Sequence, residues 1–158
     1  SPSMRDETGR SIQIQIQIRA FAEADEPAVV RLWEDCGLIR PWNDPRKDIA
    51  RKLAVRRDLF LVAAEAGAVV GSVMVGYDGH RGWINYLAVA PAYQKRGLGR
   101  ALMAEAERLL LREDCPKVNL QVRAGNEGVV AFYRRLGYDV EELVSLGKRL
   151  IPDLPASD

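Results

Sequence analysis

The sequence predicts an α+β domain, and three observations carry that prediction. Residues 11–18 alternate isoleucine with polar residues at a strict period of two. Residues 59–64, 68–75 and 83–89 are short apolar runs separated by turn residues. A helical pattern then begins directly behind a Gln-x-x-Gly-x-Gly turn at residues 94–99. Period two marks a half-buried strand, and short apolar runs bounded by turn signals mark strands.

In chain order, residues 1–10 are polar and read as a loose tail, with Ser1-Pro2-Ser3 ahead of Met4 as an expression remnant. Residues 11–18 form a strand with isoleucines inward; so sticky a repeat should pair in a sheet. Asp25-Glu26-Pro27 starts a helix with Val29, Val30, Leu32 and Trp33 on its apolar face, ending at Gly37. Asn43-Asp44-Pro45 starts a second, running to about residue 57, with Ile49, Leu53 and Val55 as core positions. Between them, Arg40 and Trp42 either line a substrate entrance or fill the gap between the helices. Ala66-Gly67 joins two strands as a hairpin, and residues 77–82 turn into the third. The helix over 97–112 buries Leu98, Ala101, Leu102, Ala106, Leu109 and Leu110. A strand over 117–122 and a helix over 127–136 follow, with Gly137 as C-cap. Residues 138–146 and 147–151 read as a closing pair of strands, and 152–158 as a frayed tail, so one domain spans 11–151.

A chain of 158 residues fits that single domain and buries a sizeable core. Its formal net charge of +1 points to neither nucleic acid nor an anionic membrane as partner. Cys36 and Cys115 stand far apart and there is one histidine, so no metal is expected and the thiols read as reduced. No signal pattern and no membrane-length apolar run is seen, which predicts a cytoplasmic protein.

Residues 87–102 hold the chemistry. Gly97 and Gly99 let backbone amides approach a ligand, the helix behind them offers unpaired N–H groups, and Arg96 and Arg100 add charge. This makes an anion site suited to phosphate or pyrophosphate, unless the glycines serve only a tight strand-to-helix turn. The Gly-x-x-x-x-Gly-Lys-Ser/Thr loop is absent. A dinucleotide fingerprint would need a third glycine where Leu102 stands, and a turn immediately after the strand.

Gln94-x-x-Gly97-x-Gly99 after Leu87-Ala88-Val89 resembles the acyl-CoA loop of the GNAT N-acetyltransferase superfamily. The likeness continues through Val122-Arg-Ala-Gly-Asn126 and Ala131-Phe-Tyr133-Arg-Arg-Leu-Gly137-Tyr138. Asn43-Asp44-Pro45, Gly76-Tyr-Asp-Gly-His80-Arg-Gly82 and Ser145-Leu-Gly-Lys-Arg-Leu150 further resemble the bacterial YpeA-type acetyltransferases. The resemblance implies a mostly antiparallel sheet, splayed at the acyl-CoA site and flanked by about four helices. It implies an enzyme that moves acetyl from acetyl-CoA to a primary amine, on a small molecule or peptide, by direct attack in a ternary complex. Leu87, Ala88 and Val89 would meet the pantetheine arm, with Asn126 across the cleft unless it only caps its helix. Gln94, Lys95, Arg96, Gly97, Leu98, Gly99 and Arg100 would cradle the pyrophosphate. Tyr133 would serve the leaving thiolate as acid, although without the resemblance it reads as an aromatic core residue.

The general base is not evident. Some relatives carry a glutamate where Gln121 stands, and an amide accepts no proton at neutral pH. Asp78, His80 and Tyr86 (through water) are the candidates. A weak base suits an α-amine, about one in seven of which is neutral at pH 7, better than a lysine side chain, with about one in 2,500. The rival readings are an acyl-CoA-binding regulatory module without turnover and a nucleotide-binding domain. Edge strands near the C-terminus also allow a homodimer.

Overall fold

The computed structural model describes residues 3–5, 7, 11–13 and 15–154. β1 (Ser3–Arg5) and β2 (Ser11–Gln13) form an antiparallel pair of their own. β3 (Ile16–Ala20) leads through a 3₁₀ turn to α1 (Glu26–Asp35) and α2 (Pro45–Leu53). β4 (Phe60–Glu65) and β5 (Ala68–Tyr77) are joined at Ala66 and Gly67, both at positive φ as a tight hairpin requires. β6 (Gly82–Val89), α3 (Leu98–Arg112), β7 (Val118–Leu120) and α4 (Glu127–Arg135) complete the chain order. The main sheet runs β3-β4-β5-β6-β7, antiparallel except for β6 and β7. A parallel pair needs a crossover, and α3 supplies it. The predicted α+β class, mostly antiparallel sheet and four flanking helices are all present.

Both faces of the sheet are covered, which explains the unbroken apolar runs. On one face Leu61 and Ala63 of β4 pack with Leu102, Met103, Ala106 and Leu110 of α3. On the other, Phe60 and Val62 pack with Val29, Trp33 and Ile49 of α1 and α2. Among the described residues no helix is long and apolar enough to cross a membrane.

Several elements depart from expectation. The single strand over 11–18 is two, because β2 pairs with β1 while β3 pairs with β4. Ile16 and Ile18 pack against the core; the side chains of Ile12 and Ile14 lie outside the described residues. α2 stops at Leu53, Arg56 turns left-handed at φ 54°, and Val55 points outward at 64% exposure instead of into the core. Arg56 is held there by Asp58 and Glu113. Met103 takes the buried place expected for Ala101, which is exposed.

The closing strands over 138–146 and 147–151 do not form. The segment beside β7 is held by side chains rather than by a backbone ladder. Glu141 accepts from Lys117 and Asn119, and Gln121 donates to Ser145. Val144 and Leu146 consequently stay exposed.

The stretch expected to fray from residue 152 instead carries a buried anchor. Asp153 is 2% exposed and accepts from the Asp44 backbone N–H at 2.9 Å and from Arg51 at 2.6 Å. The Arg51 guanidinium, then the Asp44 amide, hold its carboxyl at about 2, below the usual carboxylate range. A folded-state pKa depressed in this way stabilises the fold above the unfolded value and loses that effect as pH falls through the folded one. Asp153→Ala is therefore expected to melt about 5 °C below wild type at pH 7. In thermal melts the gap should close as pH falls from about 4 to 2; a gap unchanged at pH 2 would refute the ion pair as its source.

Candidate active site

The glycine turn leaves β6 through a 3₁₀ turn at Pro91–Tyr93 and enters α3 with Gly97 as N-cap. Gly97 sits at φ +82°, a conformation natural to glycine, and a Cβ built there meets nothing within 4 Å. The first-turn amides of α3 behind it lack intrahelical partners, because they precede the first i−4 carbonyls. Gly99 serves differently from expectation: a Cβ there would stand 3.2 Å from the Phe132 ring, so it permits close packing of α3 on α4. The Gln94 side chain turns back to donate to the Val89 carbonyl at 3.0 Å. Arg96 lies over the Tyr93 ring at 5.7 Å, and Lys95, Arg96 and Arg100 are exposed around the turn.

β6 and β7 are paired only from Gly82 with Val118 to Ile84 with Leu120, and then part. The edge of β6 from Asn85 onward has no strand beside it. Here β6 also carries a bulge, with Tyr86 and Leu87 opposite the single residue Val73. A cleft of about 2230 Å³ opens at the parting, lined by residues that include Asp48, Tyr86, Leu87, Asn126 and Tyr133. It is about twice the upper size of a site for one small ligand, so two reactants fit together.

Tyr133 and Asn126 come from opposite ends of α4. The Asn126 side chain accepts from Val129 N–H, so it does cap the helix while lining the cleft. Tyr133 is 9% exposed, packed edge-on between Phe132 and Tyr138, and its hydroxyl has no hydrogen-bond partner among the described residues. Burial pushes its pKa up to about 12, so the phenol keeps its proton at physiological pH.

The candidates for a base fall in different places. Asp78 and His80 lie in the exposed turn before β6, outside the cleft lining. The Asp78 carboxylate is engaged by the His80 and Arg81 amides and the Trp83 indole, which hold it below the usual carboxylate range. Tyr86 is in the cleft, but its hydroxyl donates to Asp48 at 2.7 Å. Burial and then that bond raise its pKa, so it is a donor and no reservoir of base. Trp42 does not fill an interhelical gap: it is 52% exposed, with the Arg123 guanidinium 5.4 Å over its ring. Arg40 lines the cleft.

Asp48 is the residue the sequence reading passed over. It stands in the first turn of α2, where an acid reads as complementing the helix dipole. Its only signal is the i, i+4, i+7 spacing of Asp44, Asp48 and Arg51, which share one helix face. Among the described residues no group of three histidines, cysteines or acids could hold a metal ion.

The sequence model of the acetyltransferase (GNAT) family matches residues 18–138. An acetyltransferase of Yersinia enterocolitica is 49% identical over 138 residues, 87% of this chain and 98% of its own length. One of Sodalis glossinidius is 52% identical over 139 residues, with the same coverage of both chains. Among solved structures, Ard1 from Thermoplasma volcanium superposes with a TM-score of 0.70 at 26% identity, over 80% of this chain and 84% of that one.

Proposed function

We propose, from the premise that this chain belongs to the acetyltransferase (GNAT) family and is an acyl-CoA-dependent N-acetyltransferase, that it acetylates a primary amine by direct attack in a ternary complex. The carrying observation is Tyr133, a buried ring whose hydroxyl has no hydrogen-bond partner among the described residues, in a cleft roomy enough for both reactants. Acetyl-CoA supplies the acyl group: the neutral amine nitrogen bonds to the thioester carbon, the C–S bond breaks, CoA leaves as thiolate, and the surplus proton on nitrogen passes to solvent water. The regulatory and nucleotide-binding readings give way because the matching relatives are named acetyltransferases.

The chain's own residues divide the work. The open space over Gly97, the α3 amides and the flanking cations suit a pyrophosphate. Of Leu87, Ala88 and Val89, expected to meet the pantetheine arm, only Leu87 lines the cleft; Ala88 is buried and the Val89 carbonyl is taken by Gln94. With Asn85 and Tyr86, Leu87 forms the unpaired edge of β6 that offers backbone groups to an extended pantetheine, with Asn126 opposite. Tyr133 stabilises the leaving sulfur. With its pKa at about 12, full proton transfer to a thiolate near 8.5 is uphill by roughly 5 kcal/mol. It therefore acts as a hydrogen-bond donor in the transition state, with proton transfer completed later by solvent.

Gln121 hydrogen-bonds Ser145 and accepts no proton, which favours acceptors already partly neutral at pH 7. CoA thiol release from acetyl-CoA, measured across amino acids, N-terminal peptides, lysine peptides, polyamines and aminoglycosides, tests this. Amine-dependent release is expected, with higher kcat/KM for α-amines than for lysine side chains. Equal or faster turnover of lysine side chains would sink the α-amine preference, and binding without release would sink the transferase reading.

A further inference from the structure

The middle of β6 contains a strained residue whose restraints converge on one carboxylate. Tyr86 adopts φ +52°, a left-handed conformation that costs a tyrosine about 1–3 kcal/mol. Its ring stacks on Trp33 with centroids 3.7 Å apart. Its carbonyl accepts from Ser72 Oγ at 2.8 Å, and Ser72 Oγ accepts in turn from Trp33 Nε1 at 2.9 Å. The hydroxyl held by this frame donates to Asp48 Oδ2 at 2.7 Å. From the other side Arg51 donates to Asp48 Oδ1 at 3.3 Å, and Arg51 is itself anchored by buried Asp153. The sequence Asp153–Arg51–Asp48–Tyr86 thus runs from the C-terminal stretch to the point where β6 bulges into the cleft.

Of the four carboxylates that line the cleft, Asp48, Glu107, Asp139 and Glu141, only Asp48 stands on α2. Glu141 is paired with Lys117 and Glu107 accepts from Tyr138, whereas the Arg51 beside Asp48 at 3.3 Å pairs more closely with Asp153, at 2.6 Å. The Asp48 oxygens each carry one donor, whereas a carboxylate offers about four lone-pair sites, so about two remain open. Its side chain is 25% exposed, enough for a ligand to reach it.

We infer that Asp48 is the acceptor-binding carboxylate of this enzyme: it docks the incoming amine as its ammonium, which gives one proton to solvent water before the neutral nitrogen attacks, and Tyr86 and Arg51 are positioning residues that aim it. The inference rests on the transferase reading above and adds to it the site that selects a cationic acceptor. A carboxylate on α2 fixed by two donors, Tyr86 from the bulged β6 and Arg51 from α2 itself, is preorganised, so little freedom is lost when the ammonium docks. Charge-assisted hydrogen bonds of this kind are about twice as strong as neutral ones.

The test uses the amine of the panel with the highest kcat/KM and, as competitive inhibitor, the alcohol of the same skeleton. Asp48→Asn keeps an oxygen for the Tyr86 hydroxyl and removes the charge. It should raise KM for the amine at least tenfold, leave Ki for the neutral alcohol within twofold, and leave the acetyl-CoA Kd unchanged in titration calorimetry. Tyr86→Phe, with Asp48 intact but unaimed, should raise amine KM about threefold with the alcohol Ki again unmoved. Equal losses for amine and alcohol would assign Asp48 a structural part and overturn the inference, as would an unchanged amine KM. A protein that binds acetyl-CoA and acetylates no amine removes the transferase reading itself, and the inference with it.

Discussion

Gly97→Glu should raise the dissociation constant for acetyl-CoA at least a hundredfold in titration calorimetry while the protein remains folded. The reason is local. No atom lies within 4 Å of a Cβ added at Gly97, so nothing in the protein turns the new side chain away. It occupies the open space over the first turn of α3 and brings a negative charge to the proposed pyrophosphate site. Two like charges about 4 Å apart near a protein surface repel by about 4 kcal/mol, more than a hundredfold in affinity. The backbone cost is separate: φ +82° in a non-glycine residue costs about 1–2 kcal/mol, or roughly 3–6 °C in Tm for a domain of this size. Gly97→Ala carries the same backbone cost without the charge and should lose less than tenfold in affinity. Micromolar acetyl-CoA binding retained by Gly97→Glu would reject the turn as the donor site.

Tyr133→Phe should lower kcat by roughly a hundredfold with the acetyl-CoA Kd unchanged. The ring stays between Phe132 and Tyr138, so packing is preserved and only the hydroxyl is lost. That hydroxyl has no protein partner among the described residues, so its removal strands no buried group and stability should hold or rise slightly. The phenol is neutral far above physiological pH, so the kcat profile between pH 6 and 9 should show no limb from Tyr133. A variant with wild-type kcat would take Tyr133 out of the chemistry and leave it an aromatic core residue.

Those elements were legible whose signals are local. The hairpin at Ala66-Gly67, the apolar runs of β4 to β6 and the caps of α3 and α4 each lie within one stretch of sequence. The glycine turn was legible too, although the two glycines differ: Gly97 stands in open space at positive φ, and Gly99 admits the Phe132 ring. What sequence hid depends on partners. The apolar residues scattered through 138–151 suit a strand, but do not show whether an edge is there to receive it. The left-handed Tyr86 leaves no trace in composition, since tyrosine rarely adopts that conformation and its neighbours do not announce it. Asp48 gains its place only because Tyr86, 38 positions away in sequence, reaches it. Asp153 in a polar tail becomes a buried anchor only because Arg51 and the Asp44 amide meet it.

The attachment of β7 makes one wall of the cleft the least secure part of the sheet. Three residue pairs hold it to β6, whereas β4 and β5 share six. Local opening of such a strand takes much less free energy than global unfolding, so its amides exchange with solvent early. A molecule lying along both parted strands braces that wall. At a hundred times its dissociation constant, a ligand adds about 2.7 kcal/mol to the folded state. The slowing of exchange at Val118–Leu120 as acetyl-CoA is added then reports assembly of the catalytic chamber, a step at which binding and local folding are one event.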